Sequence, residues 1–92
     1  MVKPSAGKSD PDELDPDDLV AIFGANLKTA RMRAGLTQAQ LAEQSGLLQQ
    51  YVSLVESGKQ NVTLTTAQAL AKVVHQNVST MLRRQTPRLR RT

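Results

Sequence analysis

Ninety-two residues make one small domain with a modest core, and a chain with no cysteine and a single histidine, His75, excludes disulfides and a structural zinc site. The net charge of +4 conceals an asymmetry: six of the eight acids precede residue 19, whereas from Leu19 onward ten lysines and arginines face only Glu43 and Glu56. A body that basic favours a polyanionic partner, although charge alone suits a merely soluble surface about as well.

Taken in chain order, residues 1–14 (MVKPSAGKSDPDEL) are polar, contain Pro4 and Pro11, and are expected to form a disordered or loosely attached acidic tail. These acids either solvate the tail or compete for the basic body. A domain is expected over 15–85. Asp15 is a suitable N-cap, Pro16 fits the first helical position, and Asp17 and Asp18 suit the positive end of the helix dipole. Leu19, Phe23, Leu27, Ala30 and Ala34 then recur at spacings of three and four, which predicts one buried stripe, with Lys28, Arg31 and Arg33 off it. Gly35 ends this helix.

Thr37 to Gln40 reads as a capping box, T-x-x-Q, opening a second helix with Leu41 and Ala42 inward. It stops at Ser45-Gly46, and Leu47 plugs the turn. A third helix runs from about Gln49 to Ser57, burying Val52 and Val55 and leaving Gln49, Gln50, Ser53 and Leu54 outside; Gly58 closes it. After a polar loop, Lys59–Val62, Thr63 caps a fourth helix with the stripe Leu64, Ala67, Leu70, Ala71 and Val74. Asn77 caps a short fifth helix carrying Val78, Met81 and Leu82. The end of the chain holds five arginines and Pro87, and 86–92 reads as a basic tail. No stretch alternates with strand period, so the domain is predicted to be all-helical.

The pair of short helices around Gly46 carries the most chemistry. A helix enters the DNA major groove only when its other side packs on a rigid partner, and a short turn lays helix two across its back. Glutamine is one of two side chains able to contact adenine N6 and N7 together, so Gln49 and Gln50 are candidate base readers. Leu54 is placed for a thymine methyl, and Ser53 for a base or a phosphate. Tyr51 either covers the helix edge or bonds a phosphate, and Lys59 and Asn61 follow at the next phosphates. Two exposed glutamines on an isolated helix are usually just solvated. What lifts them above that is their setting.

That setting, G-L-T-Q-x-x-L-A-x-x-S-G over 35–46 followed by V-S-x-x-E-x-G over 52–58, with Leu27, Arg31, Leu64, Leu70-Ala71 and the Val78–Leu82 close, resembles the Cro/cI-type (XRE-like, lambda-repressor-like) helix-turn-helix family. The resemblance covers about two thirds of the chain, roughly Phe23 to Leu82. It implies a compact five-helix bundle in which helices two and three bind DNA, with both glutamines of the pair on bases. It also implies a phosphate clamp at the start of helix two, at Thr37 and Gln38, and a structural ion pair between Arg31 and Glu56. Three residues depart from the family pattern. Leu48 stands where a Ser or Thr cap is common, His75 where a Gly ends helix four, and Gln76 where the family has an apolar residue.

The implied function is a sequence-specific regulator of transcription that binds double-stranded DNA as a homodimer and acts by occupying an operator, as a repressor more readily than an activator. The alternative is an antitoxin whose tail folds on a toxin, with DNA binding secondary. Catalysis is disfavoured: the dense carboxylates lie in a tail, and Ser53 and Ser57 have no base at helical spacing. No cofactor is expected. No apolar run approaches the roughly 18 residues of a membrane span and no signal-peptide core follows Met1, which suits a cytoplasmic location; the resemblance implies a bacterial or phage-encoded protein, associated with the nucleoid when bound.

Overall fold

A computed structural model describes residues 18–84, which fold into α1 (Leu19–Arg33), α2 (Gln38–Ser45), α3 (Gln49–Glu56), α4 (Leu64–Val73) and α5 (Val78–Met81), with no strand among them. The two tails, and the expected helix start at Asp15, Pro16 and Asp17, lie outside the described residues.

Asp18, expected inside the first turn, is instead the N-cap of α1: its Oδ1 accepts the Ala21 amide at 3.0 Å, and its backbone is not yet helical. Leu19 is therefore the first helical residue and is 52% exposed, and Ala34 at the far end is exposed too. The stripe expected from Leu19 to Ala34 is thus shorter and wider, made of Ile22, Phe23, Gly24, Asn26, Leu27 and Ala30. The reason is that both α3 and α5 pack against α1, α3 at Gly24 and α5 at Asn26, so the buried arc is broader than a single stripe.

Thr37 forms the capping box in full, accepting the Gln40 amide at 3.0 Å while Gln40 Oε1 accepts the Thr37 amide at 2.8 Å. Thr63 and Asn77 cap α4 and α5 through the amides of Thr66 and Thr80. Leu64, expected in the α4 stripe, is the first residue of that helix and is 75% exposed; Ala67, Leu70, Ala71 and Val74 are buried as predicted.

The first four helices end alike. Leu36, Leu47, Lys59 and Gln76 each donate an amide N–H five residues back, to the carbonyls of Arg31, Ala42, Leu54 and Ala71. The residue before each donor takes a left-handed conformation: Gly35, Gly46, Gly58 and, in α4, His75 with φ 63°. His75 is thus the strained helix end that its residue type predicts.

Phe23, Leu27, Leu41, Val52, Val55, Leu70 and Met81 form the centre of one core, and Leu36, Leu47, Tyr51 and Leu82 pack on its rim. Two contacts within it were not read from the sequence. Buried Asn26 donates its side-chain amide to the Met81 and Arg83 carbonyls at 2.7 and 2.8 Å, pinning the end of α5 to α1. Gly24 lies so close to α3 that a Cβ there would run into the Val55 carbonyl oxygen.

Candidate nucleic-acid interface

α3 has two unlike faces. Val52 and Val55 are wholly buried against the core, while Gln49, Gln50 and Ser53 are exposed and Leu54 is half-buried. Adjacent helical positions point about 100° apart. Burying Val52 and Val55 therefore fixes the rotation of the helix about its axis and turns the glutamine pair outward. α2 packs against α3, and Leu47 fills the corner between them. The Gly24 approach brings α1 onto the backbone of α3 as well, so the glutamines stand on a helix braced from two sides.

The far end of α3 is held by charge. Glu56 accepts Arg31 Nε at 2.7 Å on one carboxylate oxygen, and Arg31 Nη2 and Gln38 Nε2, both at 3.1 Å, on the other. Arg31 Nη1 also donates to the Leu36 carbonyl at 2.8 Å. The Arg31–Glu56 pair implied by the resemblance is present, with side chains 12% and 2% exposed. It joins α1, the corner into α2 and the end of α3. Gln38, read as a phosphate clamp, is half-buried and spends one amide N–H on Glu56, which leaves its second N–H for another acceptor. Thr37 is exposed, and its oxygen is engaged as an acceptor within the capping box.

The Tyr51 ring packs on the core, and its hydroxyl donates to the Asn61 carbonyl at 3.3 Å, tying α3 to the loop that follows. Asn61 is exposed, and its side-chain oxygen accepts the Val62 amide at 2.9 Å, so its own NH2 is the group directed elsewhere. Lys59 is exposed immediately after Gly58. Among the described residues six cations are exposed (Lys28, Arg33, Lys59, Lys72, Arg83 and Arg84), against the exposed acids Asp18 and Glu43.

The departures have structural consequences. Leu48 is the N-cap of α3, makes no side-chain cap bond and is 77% exposed. Gln76 is exposed, so its polar side chain stays in water. Asn26 and Gly24 are the residues that sequence reasoning missed. Each left a faint signal, a carboxamide three residues after a core aromatic and a glycine inside a helical pattern.

Among the described residues no helix is long and apolar enough to cross a membrane, and no three His, Asp or Glu side chains gather as a metal site. An uncharged groove lies between the start of α1, the loop before α4, and α5, lined by Leu19, Val62, Leu64, Val78 and Leu82 together with Gln60 and Asn61.

Comparison with known proteins agrees with this arrangement. The family profile described as Helix-turn-helix matches residues 27–75. Control protein C.SmaI of Serratia marcescens is 41% identical over 68 residues, covering 74% of this chain and 81% of the relative. Among solved structures, the hypothetical transcription factor NHTF from Neisseria superposes with a TM-score of 0.71 at 32% identity, over 75% of this chain and 79% of that one. The restriction-modification controller protein C.AhdI from Aeromonas hydrophila gives 0.64 at 35% identity, over 67% and 94%. The chain belongs to the Cro/cI-type helix-turn-helix family of DNA-binding transcriptional regulators.

Proposed function

We propose that this regulator reads a specific operator by placing the N-terminal end of α3 in the major groove, with Gln49 and Gln50 on adenine edges. The observation that carries this is the exposed glutamine pair on a helix whose opposite side is fully buried. Ser53 and Leu54 extend the base-contacting surface, and Thr37, Gln38, Lys59 and Asn61 hold phosphates on either side of it. Tyr51 acts through the loop it braces, bringing Asn61 to the backbone. Control of transcription is by occupancy in the cytoplasm, as a repressor. The antitoxin alternative gains nothing from the relatives named above.

The regulator acts as a homodimer whose recognition helices fall about one DNA turn, roughly 34 Å, apart. The uncharged groove supports a contact face: two copies with a surplus of positive charge meet most cheaply where neither carries any.

The test is selection from randomised duplex DNA at several salt concentrations, comparing wild type with Gln49→Ala/Gln50→Ala. Wild type is expected to enrich a pseudo-palindrome that the double variant no longer distinguishes from random DNA, both having similar salt slopes. A wild type that enriches nothing overturns the reading. Two of the relatives are named as control or controller proteins; mapping the enriched sequence to its neighbouring genes identifies what this one regulates.

A further inference from the structure

We infer that Leu48 is a specificity residue that reads a thymine methyl beside the glutamine pair. This rests on the reading of α3 as the base-reading helix.

Four of the five helices begin with a polar N-cap, Asp18, Thr37, Thr63 and Asn77, each accepting the amide of the third helical residue. At α3 that oxygen is replaced by an isobutyl group, and the amide of Tyr51 receives no side-chain cap. The replacement makes no use of the core. Helical spacing aligns position 48 with the buried Val52 and Val55, yet the extended backbone at Leu48 (φ −79°, ψ 144°) directs the side chain away, and it is 77% exposed. Of the other exposed large apolar residues, Leu19 and Leu64 border the uncharged groove, and Met32 lies near the end of α1. Leu48 alone abuts the proposed readers.

An aliphatic group at this position therefore forgoes the stability of a cap and leaves apolar surface in water. Both deficits are made good only if something apolar covers the side chain in the bound state. The N-terminal end of a recognition helix is the part that meets base edges. The one apolar group on a base edge in the major groove is the thymine C5-methyl. A hydroxyl in place of this leucine restores the cap and loses that contact.

The experiment begins with the operator enriched by wild type, in which each thymine is exchanged singly for deoxyuridine, a change that removes the methyl alone. At one thymine in each half-site, wild type is expected to bind about four-fold more weakly, the worth of one buried methyl. Leu48→Ser and Leu48→Ala are expected to bind the two duplexes equally at that position. Leu48→Ser is also expected to raise Tm by about 4–8 °C by restoring the cap, whereas Leu48→Ala does not. If uracil has the same effect on wild type and on both variants at every position, Leu48 reads no methyl and the inference is overturned. If wild type enriches no sequence, the regulator reading fails first, and this falls with it.

Discussion

Glu56 gathers three hydrogen bonds on one carboxylate, as many as the Arg31 guanidinium makes. Its two oxygens take donors from α1 and α2, and the carboxylate is 2% exposed. A charge that dry is tolerable only while it is paired, so Glu56→Ala should cost about 3–5 kcal/mol in urea unfolding by leaving Arg31 uncompensated. Arg31→Met should fall in the same range. The double change Arg31→Met/Glu56→Leu should cost less than either alone, because no orphaned charge remains. If all three cost the same, the pair is not the source of the effect. Gln38 belongs to this cluster as much as to any phosphate, and the sequence had no way to say so. A residue's partner across 18 positions is not a local property.

Two departures from simple helix chemistry belong to the elements. Gly24 sits mid-helix, where alanine is favoured by about 1 kcal/mol on propensity. Gly24→Ala should nevertheless destabilise by about 1–3 kcal/mol, since the new methyl meets a backbone carbonyl of α3 that no rotamer change moves aside. A gain in stability would mean that α1 and α3 part easily. His75 presents the opposite case. It holds a left-handed conformation that three glycines hold at the ends of α1, α2 and α3, at a cost of about 1 kcal/mol for a side chain with a Cβ. His75→Gly should recover this, raising Tm by about 4–8 °C; no rise would mean that the His75 side chain contributes as much as the strain removes.

For the whole molecule, the charge of the described surface and the uncharged groove make separable predictions. Leu64→Glu places a charge in the groove at a position 75% exposed, so the fold should survive by circular dichroism while sedimentation shows a dimer become a monomer. A dimer that persists would locate the contact elsewhere. Lys59→Ala should reduce the slope of log K against log salt by about 1 and weaken all sequences alike, as a phosphate contact does. A change in sequence preference would instead make Lys59 a base reader.

Helix number, caps at Thr37, Thr63 and Asn77, and the left-handed ends at Gly35, Gly46 and Gly58 were all legible in the sequence. Each depends on residues within about six positions of one another, where backbone chemistry is local. The outward placement of the glutamine pair was legible for the same reason, since the burial of Val52 and Val55 follows from their spacing. The Arg31–Glu56 pair was legible only through family resemblance. The extent of the α1 stripe, the exposure of Leu19 and Leu64, the Asn26 clamp, the closeness allowed by Gly24 and the outward turn of Leu48 were decided by tertiary structure. Periodicity states that one face of a helix is apolar. How wide that face is, and where along the helix it stops, depends on which neighbours lie across it, and those are set only when α3 and α5 close on α1.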